Sequence, residues 1–214
     1  MRLLSKVAVV LALAAPVQAG PVVFDKSWST QRFSLFSSNK YGFDGGTMTI
    51  VSDGSVSIAY HQLPVEEWGA RRASWAWDVS QSVPATDLAK KGGDDRNASL
   101  YFVFLPETEA RALGPKASIG KLLTADSARV LVYVWGDGRG RGTMLNSPYL
   151  GPRGKTVILR PAGTGAHREN VDLAADYRRA FGGVPGALVG LAVSADSDDT
   201  NSRIRARVSG LVLK

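Results

Sequence analysis

The feature that most restricts the fold of this chain is a strict alternation of apolar and polar side chains in several short segments. It is clearest in Ala73–Ser80, where Trp75, Trp77 and Val79 point to one side and small or polar residues point to the other. A period of two residues is typical of a β-strand, whereas an amphipathic helix repeats every ~3.6 residues. The segment is therefore predicted to be a strand with one face packed on a second layer.

Eight more segments have the composition of strands and are bounded by turn residues. Two of them, Leu100–Leu105 and Val130–Trp135, are apolar on both sides and are predicted to be central strands with both faces covered. Two others flank a Ser-Asp-Gly sequence that is typical of a hairpin turn. These and the remaining predicted strands are Thr47–Val51, Ser55–Tyr60, Arg32–Phe36, Thr156–Leu159, Leu188–Ser194 and Arg203–Leu213.

Two segments have helical patterns instead. Pro106–Leu113 is long enough for two turns, and Glu169–Phe181 places Leu173, Tyr177 and Phe181 on one face before a Gly-Gly stop. A chain with about nine strands and one or two short helices buries its alternating faces most economically in two sheets packed face to face. We therefore predict an all-β fold, an antiparallel β-sandwich of the jelly-roll type.

The first 19 residues have the pattern of a secretory signal peptide. Arg2 and Lys6 flank the start of an apolar run, Val7–Ala15, and small residues at positions 17 and 19 predict cleavage before Gly20. Because a membrane-spanning helix needs about 20 apolar residues, the run is too short for a transmembrane anchor. We predict that residues 20–214 form a single domain that is periplasmic or secreted and has no transmembrane segment.

The sequence contains no cysteine. This excludes a disulfide scaffold, a thiol nucleophile, an iron–sulfur cluster and the usual cysteine-containing zinc site. The formal net charge of +7 points weakly to an anionic partner, such as a charged component of the cell envelope. A charge of this size on 214 residues is too small for a nucleic-acid signature, so no nucleic-acid partner is predicted.

Two glycine-rich segments resemble nucleotide-binding motifs but lack the required context. Gly136–Gly142 follows a predicted strand, yet no helix begins after it to hold a pyrophosphate. Gly154-Lys155-Thr156 matches the end of a phosphate-binding loop, but Tyr149 stands where the leading glycine is required. No serine-nucleophile elbow occurs either. The sequence therefore favours a binding protein over an enzyme.

Carboxylates are concentrated in Asp196–Thr200, a turn between two predicted strands that we call the acidic turn. Asn201 and Arg207 stand where an EF-hand requires Gly and Glu, so the turn is not an EF-hand. A looser calcium site is one interpretation, and a turn whose side chains hydrogen-bond its own backbone is the other. Because calcium prefers about 6–8 oxygen ligands and the turn supplies three carboxylates, the sequence favours the second interpretation and predicts no cofactor.

Polar and aromatic side chains from several parts of the chain are candidates for a binding site. Asp95 and Arg96 precede an apolar strand, where they would orient sugar hydroxyls or simply cap the strand. Trp75 and Trp77 would stack on a sugar ring if their face of the sheet is open, and would be core residues if a second sheet covers it. The residues predicted to bind a ligand are Trp75, Trp77, Asp95, Arg96, Trp135, Asp196 and Asp198.

Several segments together resemble one bacterial family, the domain-of-unknown-function family 3047. They lie in the same order along most of the chain: Ser74–Val79, Asp94–Arg96, Leu100–Phe104, Leu131–Gly136, Arg168–Leu173 with Asp176-Tyr177, and Ala195–Thr200. The resemblance implies an exported β-sandwich related to carbohydrate-binding jelly rolls, and it implies no particular activity.

These observations lead to three functional hypotheses. The favoured one is a non-catalytic module that binds a glycan or another ligand of the envelope. The second is a polysaccharide hydrolase that uses Asp95 with a carboxylate of the acidic turn, which would require a defined separation between the two groups. The third is an envelope assembly or interaction protein that holds a partner through an exposed edge strand.

Overall fold

The computed structural model describes residues 20–114 and 125–214. The predicted signal peptide lies outside the described residues. Within them, thirteen strands form an all-β sandwich of two sheets, which confirms the predicted fold class. None of the helices in these ranges has the length and hydropathy of a membrane-spanning segment.

The strands are numbered in chain order, and the helices separately. The strands are β1 (Gly20–Pro21), β2 (Ser29–Arg32), β3 (Lys40–Asp44), β4 (Thr47–Asp53), β5 (Val56–Gln62), β6 (Arg72–Gln81), β7 (Arg96–Leu105), β8 (Arg129–Trp135), β9 (Met144–Ser147), β10 (Gly151–Arg160), β11 (Gly165–Asp172), β12 (Ala187–Asp196) and β13 (Arg203–Leu213). The α-helices are α1 (Glu107–Leu113) and α2 (Leu173–Phe181), and a short 3-10 helix covers Val65–Glu67.

The strands are divided between a six-stranded and a seven-stranded sheet. The first has the order β11-β6-β13-β4-β3, with β1 paired to β13, and the second has the order β2-β5-β12-β7-β8-β10-β9. In the second sheet, β12 lies between β5 and β7 and is buried at all ten of its positions. This sheet also carries the cleft described below.

One pairing departs from the predicted antiparallel arrangement. Strand β10 runs parallel to β8, with Gly154 opposite Val130 and Thr156 opposite Val132, while every other pairing of the described strands is antiparallel. The chain leaves β8, forms β9 at the sheet edge and returns as β10 between the two. Side-chain alternation reports which face is buried and not the direction of a strand, so the sequence pattern did not reveal this exception.

Large aromatic side chains fill the space between the two sheets. Trp75 and Trp77 of β6 are 3% and 2% exposed and make an edge-to-face contact with ring centroids 5.5 Å apart. Trp77 also packs on Trp135 of the opposite sheet at 5.6 Å, and Trp75 packs on Tyr133 at 5.9 Å. A second sheet covers this face, so the prediction that Trp75, Trp77 and Trp135 bind a ligand is wrong: they are core residues, and a ligand has no access to their rings.

Two predicted elements have different bounds in the structure. The expected strand Arg32–Phe36 does not form: β2 ends at Arg32, and Leu35 and Phe36 are 90% and 98% exposed. The expected helix Glu169–Phe181 begins only at Leu173, since Glu169 belongs to β11. Asp172 caps this helix, because its side chain accepts a hydrogen bond from the Ala175 backbone N–H at 2.8 Å.

The seven-stranded sheet buries apolar side chains on both of its faces, as the sequence of β7 and β8 predicts. Leu100 and Phe102 of β7 face the six-stranded sheet, whereas Val103 and Leu105 belong to a second apolar cluster on the outer face. Helix α1, through Ala110, and the segments around Leu88 and Leu150 pack on this outer cluster. They cover only part of the face, and the uncovered part is a cleft.

Candidate functional site

The cleft on the outer face of the seven-stranded sheet has a volume of about 430 Å³. Its floor is a row of residues that lie directly opposite one another on four neighbouring strands: Ala192 on β12, Tyr101 on β7, Val132 on β8 and Thr156 on β10. These are the outward positions of strands whose inward residues form the core. Because successive side chains of a strand point to opposite faces of the sheet, these four residues point away from the core and form the floor of the cleft.

A cluster of charged side chains forms the polar end of the cleft. The pairing of β12 with β7 places Asp196, the last residue of β12, opposite Arg96, the first residue of β7. Nη1 of Arg96 lies 3.0 Å from Oδ2 of Asp196 and 2.9 Å from Oδ2 of Asp94. Nη2 donates a hydrogen bond to the Tyr101 hydroxyl at 3.0 Å. Sheet register thus assembles the cluster from two segments about 100 residues apart in the sequence.

Burial and charge act in opposite directions on the two central groups of this cluster. Burial lowers the pKa of the Arg96 guanidinium, but Tyr101, Asp196 and Asp94 outweigh it and raise that pKa above its usual range. Burial, opposed by the charge of Arg96 and reinforced by neighbouring Asp198, raises the pKa of Asp196 to about 8. At this end of the cleft, Arg96 therefore remains cationic, and the raised pKa of Asp196 reflects burial and neighbouring carboxyl groups that one guanidinium does not offset.

Asp95 fastens the acidic turn instead of facing the cleft. It is fully buried, and its carboxylate accepts hydrogen bonds from the backbone N–H of Thr200 at 2.8 Å, from the Thr200 hydroxyl and from the Asp199 backbone N–H at 3.3 Å. The side chain thus ties the turn after β12 to the start of β7. Its burial argues against the expected role of Asp95 as a ligand-facing residue or as a general acid.

Two exposed aromatic side chains stand at the rim of the cleft. Phe33, from the loop after β2, and Tyr149, from the loop before β10, line the cleft and are each 60% exposed. The Tyr149 hydroxyl donates a hydrogen bond to Oδ1 of Asp94 at 2.9 Å. The Lys91 ammonium group lies 5.4 Å from the centre of the Tyr149 ring. The rim therefore offers aromatic surface next to the charged cluster.

The structure brings together some of the predicted ligand-binding residues and separates the others. Arg96, Asp196 and Asp198 line the cleft, and Asp95 lies directly behind them. Trp75, Trp77 and Trp135 lie in the core between the sheets. Other residues that line the cleft were not predicted as ligand-binding, among them Asp94, Tyr101, Phe33 and Tyr149. Asp94 adjoins the predicted pair Asp95–Arg96, and Tyr101 occupies an outward position of its strand.

A comparison with protein families shows which family the chain belongs to. The model of a family described as "Protein of unknown function (DUF3047)" matches residues 23–212, nearly the whole chain. The chain belongs to this family. The match confirms the resemblance noted from the sequence. No curated protein matches this DUF3047 chain.

Solved structures with a similar arrangement of strands include several glycoside hydrolases. The family 11 xylanase from Neocallimastix patriciarum is 11% identical, with a TM-score of 0.47 over 92% of the DUF3047 chain and 94% of the xylanase. The xyloglucanase domain of NopAA from Sinorhizobium fredii, solved with cellobiose, is 6% identical, with a TM-score of 0.44 over 94% and 99% of the two chains. Because one fold hosts many activities, these likenesses assign no activity to the DUF3047 chain.

Proposed function

We propose that this protein is a non-catalytic binding module that holds a glycan in the cleft of the seven-stranded sheet. The observation that carries the proposal is the combination of an apolar floor with a charged end in one cleft of about 430 Å³. Ligand sites typically have volumes of about 300–1,000 Å³, with mostly apolar walls and a few polar groups that fix orientation. This cleft has a volume in that range, mostly apolar walls and a few charged groups at one end.

The chemistry of a sugar matches both parts of the cleft. A sugar ring has apolar C–H faces, which suit the Val132 and Ala192 floor and the exposed rings of Phe33 and Tyr149. Its hydroxyls both donate and accept hydrogen bonds, which suits the carboxylates and the guanidinium of the charged cluster.

The arrangement of carboxylates favours binding over hydrolysis. Glycosidases place two carboxyl groups about 5–5.5 Å or about 6.5–9.5 Å apart on opposite sides of the bond they cleave. In this cleft, one oxygen each of Asp95, Asp196 and Asp198 lies within 4.8 Å of the other two, closer than either arrangement. Asp95 is also fully buried and accepts hydrogen bonds from the acidic turn instead of facing the cleft. Release of reducing ends from an oligosaccharide by the purified protein would contradict a purely binding role.

Two phenylalanines of the same loop provide a matched test. We expect F33A to weaken binding of an oligosaccharide by about three- to tenfold, because it removes an aromatic face from the rim of the cleft. F36A is the control, since Phe36 is 98% exposed and does not line the cleft. Binding is measured by isothermal titration calorimetry with xylo-, cello- and peptidoglycan-derived oligosaccharides. Equal effects of the two substitutions, or no binding of any of these sugars, would refute the proposal.

A further inference from the structure

We propose that the carboxylates of Asp95, Asp196 and Asp198 bind one calcium ion at the polar end of the cleft. One oxygen from each of these side chains lies within 4.8 Å of the other two. The three residues come from two places in the chain, the start of β7 and the end of β12 with its following turn. The inference does not depend on which ligand occupies the cleft.

An unpartnered oxygen in this group points to a missing positive charge. Asp196 is 5% exposed, and its Oδ2 is paired with Arg96, whereas its Oδ1 has no hydrogen-bond partner among the described residues. A buried carboxylate oxygen without a donor is costly, and buried polar atoms are nearly always satisfied. A cation that Asp196 binds through Oδ1 would satisfy this oxygen and leave the Arg96 contact of Oδ2 intact.

The balance of charge supports the same conclusion. Asp94, Asp95 and Asp196 are buried carboxylates, and Asp198 adds a fourth beside them. Arg96 is the one cationic side chain paired with any of these four among the described residues, and it is shared between Asp94 and Asp196. The hydrogen bonds that Asp95 accepts come from neutral donors. A divalent cation would remove most of the excess negative charge.

The donor set and the surroundings suit calcium. All three side chains offer oxygen, and calcium binds oxygen at about 2.3–2.6 Å in flexible geometry, whereas magnesium requires a tighter and nearly ideal octahedron. Oxygens within 4.8 Å of one another fit around an ion of the calcium type. Asp198 is exposed and lines the open cleft, so water or a ligand can complete the coordination. The sequence favours a self-bonded turn over a looser calcium site; the structure adds Asp95 to the carboxylates of the turn and so supports the calcium site that the sequence leaves open.

The test uses calcium alone and a matched pair of aspartates from the same turn. Purified protein is freed of metal with a chelator and titrated with calcium chloride by calorimetry, and thermal unfolding is recorded with and without the ion. We expect one saturable site and a higher melting temperature with calcium. D198N is expected to weaken calcium binding at least about tenfold. D199N, which makes the same change of charge outside the three-carboxylate group, is expected to change the affinity less than about threefold.

Asp198 is preferred to Asp95 for this test because its side chain is exposed, whereas Asp95 is fully buried and holds the turn in place through its hydrogen bonds. Circular dichroism establishes that both variants are folded. Absence of saturable binding up to about 10 mM calcium would overturn the proposal, because this range includes the weakest extracellular calcium modules. Equal weakening by D198N and D199N would also overturn it, since it would indicate only a general attraction to negative charge.

Discussion

Substitution of Glu169 with alanine is expected to lower the free energy of unfolding by about 3 kcal/mol. The Glu169 side chain is completely buried and accepts three charge-assisted or polar hydrogen bonds. Nε of Arg160 lies 2.7 Å from Oε1, Nη1 of Arg141 lies 2.8 Å from Oε2, and Nε1 of Trp77 donates to Oε1 at 3.1 Å. Because β11 and β10 belong to different sheets, this carboxylate connects the two layers of the sandwich.

The expected loss lies at the lower end of the range for a broken buried ion pair, about 3–5 kcal/mol. The Arg141 and Arg160 side chains remain 49% and 29% exposed, so water can partly replace the lost carboxylate. For a chain of this size, the loss corresponds to a fall in melting temperature of about 6–12 °C. Urea denaturation followed by tryptophan fluorescence gives the free energy directly.

The matched control is E107A. Glu107 also pairs with an arginine, Arg111, but both side chains are 60% exposed at the surface of α1. Exposed ion pairs of this spacing contribute less than about 0.5 kcal/mol, so we expect E107A to be nearly neutral. Comparable losses in E169A and E107A would show that the Glu169 network does not hold the two sheets together.

Trp77→Phe is expected to lower the free energy of unfolding by about 1.5–3 kcal/mol more than Trp75→Phe. The two residues lie on the same face of β6 and are almost equally buried, so they form a matched pair. Nε1 of Trp77 donates to the Glu169 carboxylate, and phenylalanine removes this bond to a charged group. Nε1 of Trp75 has no partner among the described residues, so its removal also relieves the cost of burying a free N–H. The loss of ring volume is common to both substitutions and cancels in the comparison.

Both variants are measured by urea denaturation under identical conditions. Repeating the pair in an E169A background isolates the contribution of the Trp77 hydrogen bond, because the difference between the two substitutions should then shrink. An equal loss of stability in W75F and W77F, or a difference that persists without Glu169, would contradict the role assigned to this bond.

Side-chain alternation predicted the layers of this fold well because burial of one face is a local property of a strand. It succeeded for β6, and the apolar runs of β7 and β8 correctly indicated strands covered on both sides. It failed at Arg32–Phe36, where Arg32 pairs with Ser57 of β5 and the strand ends at that residue. Alternation reports what a strand would bury, and it does not report whether a partner is present.

The site was harder to predict because its parts meet only through sheet register. The sequence identified Asp95–Arg96 and Asp196–Asp198 as separate polar motifs, but nothing in either motif specifies that Asp196 stands opposite Arg96. The tryptophans illustrate the converse problem. Their shared face was correctly predicted, whereas the choice between core and open surface depended on the second sheet, whose position a single strand does not encode.

The burial of β12 at every position has a consequence for the rigidity of the cleft. Amide protons of a strand enclosed on both edges and both faces exchange with solvent only when the whole domain unfolds, so Leu191 and Val193 should be among the slowest in a deuterium-exchange experiment. Asp196 ends this strand and Ala192 lies in its middle. The floor and the charged end of the cleft are thus carried by the strand that we expect to fluctuate least, so binding of the proposed ligand should require little rearrangement of the cleft.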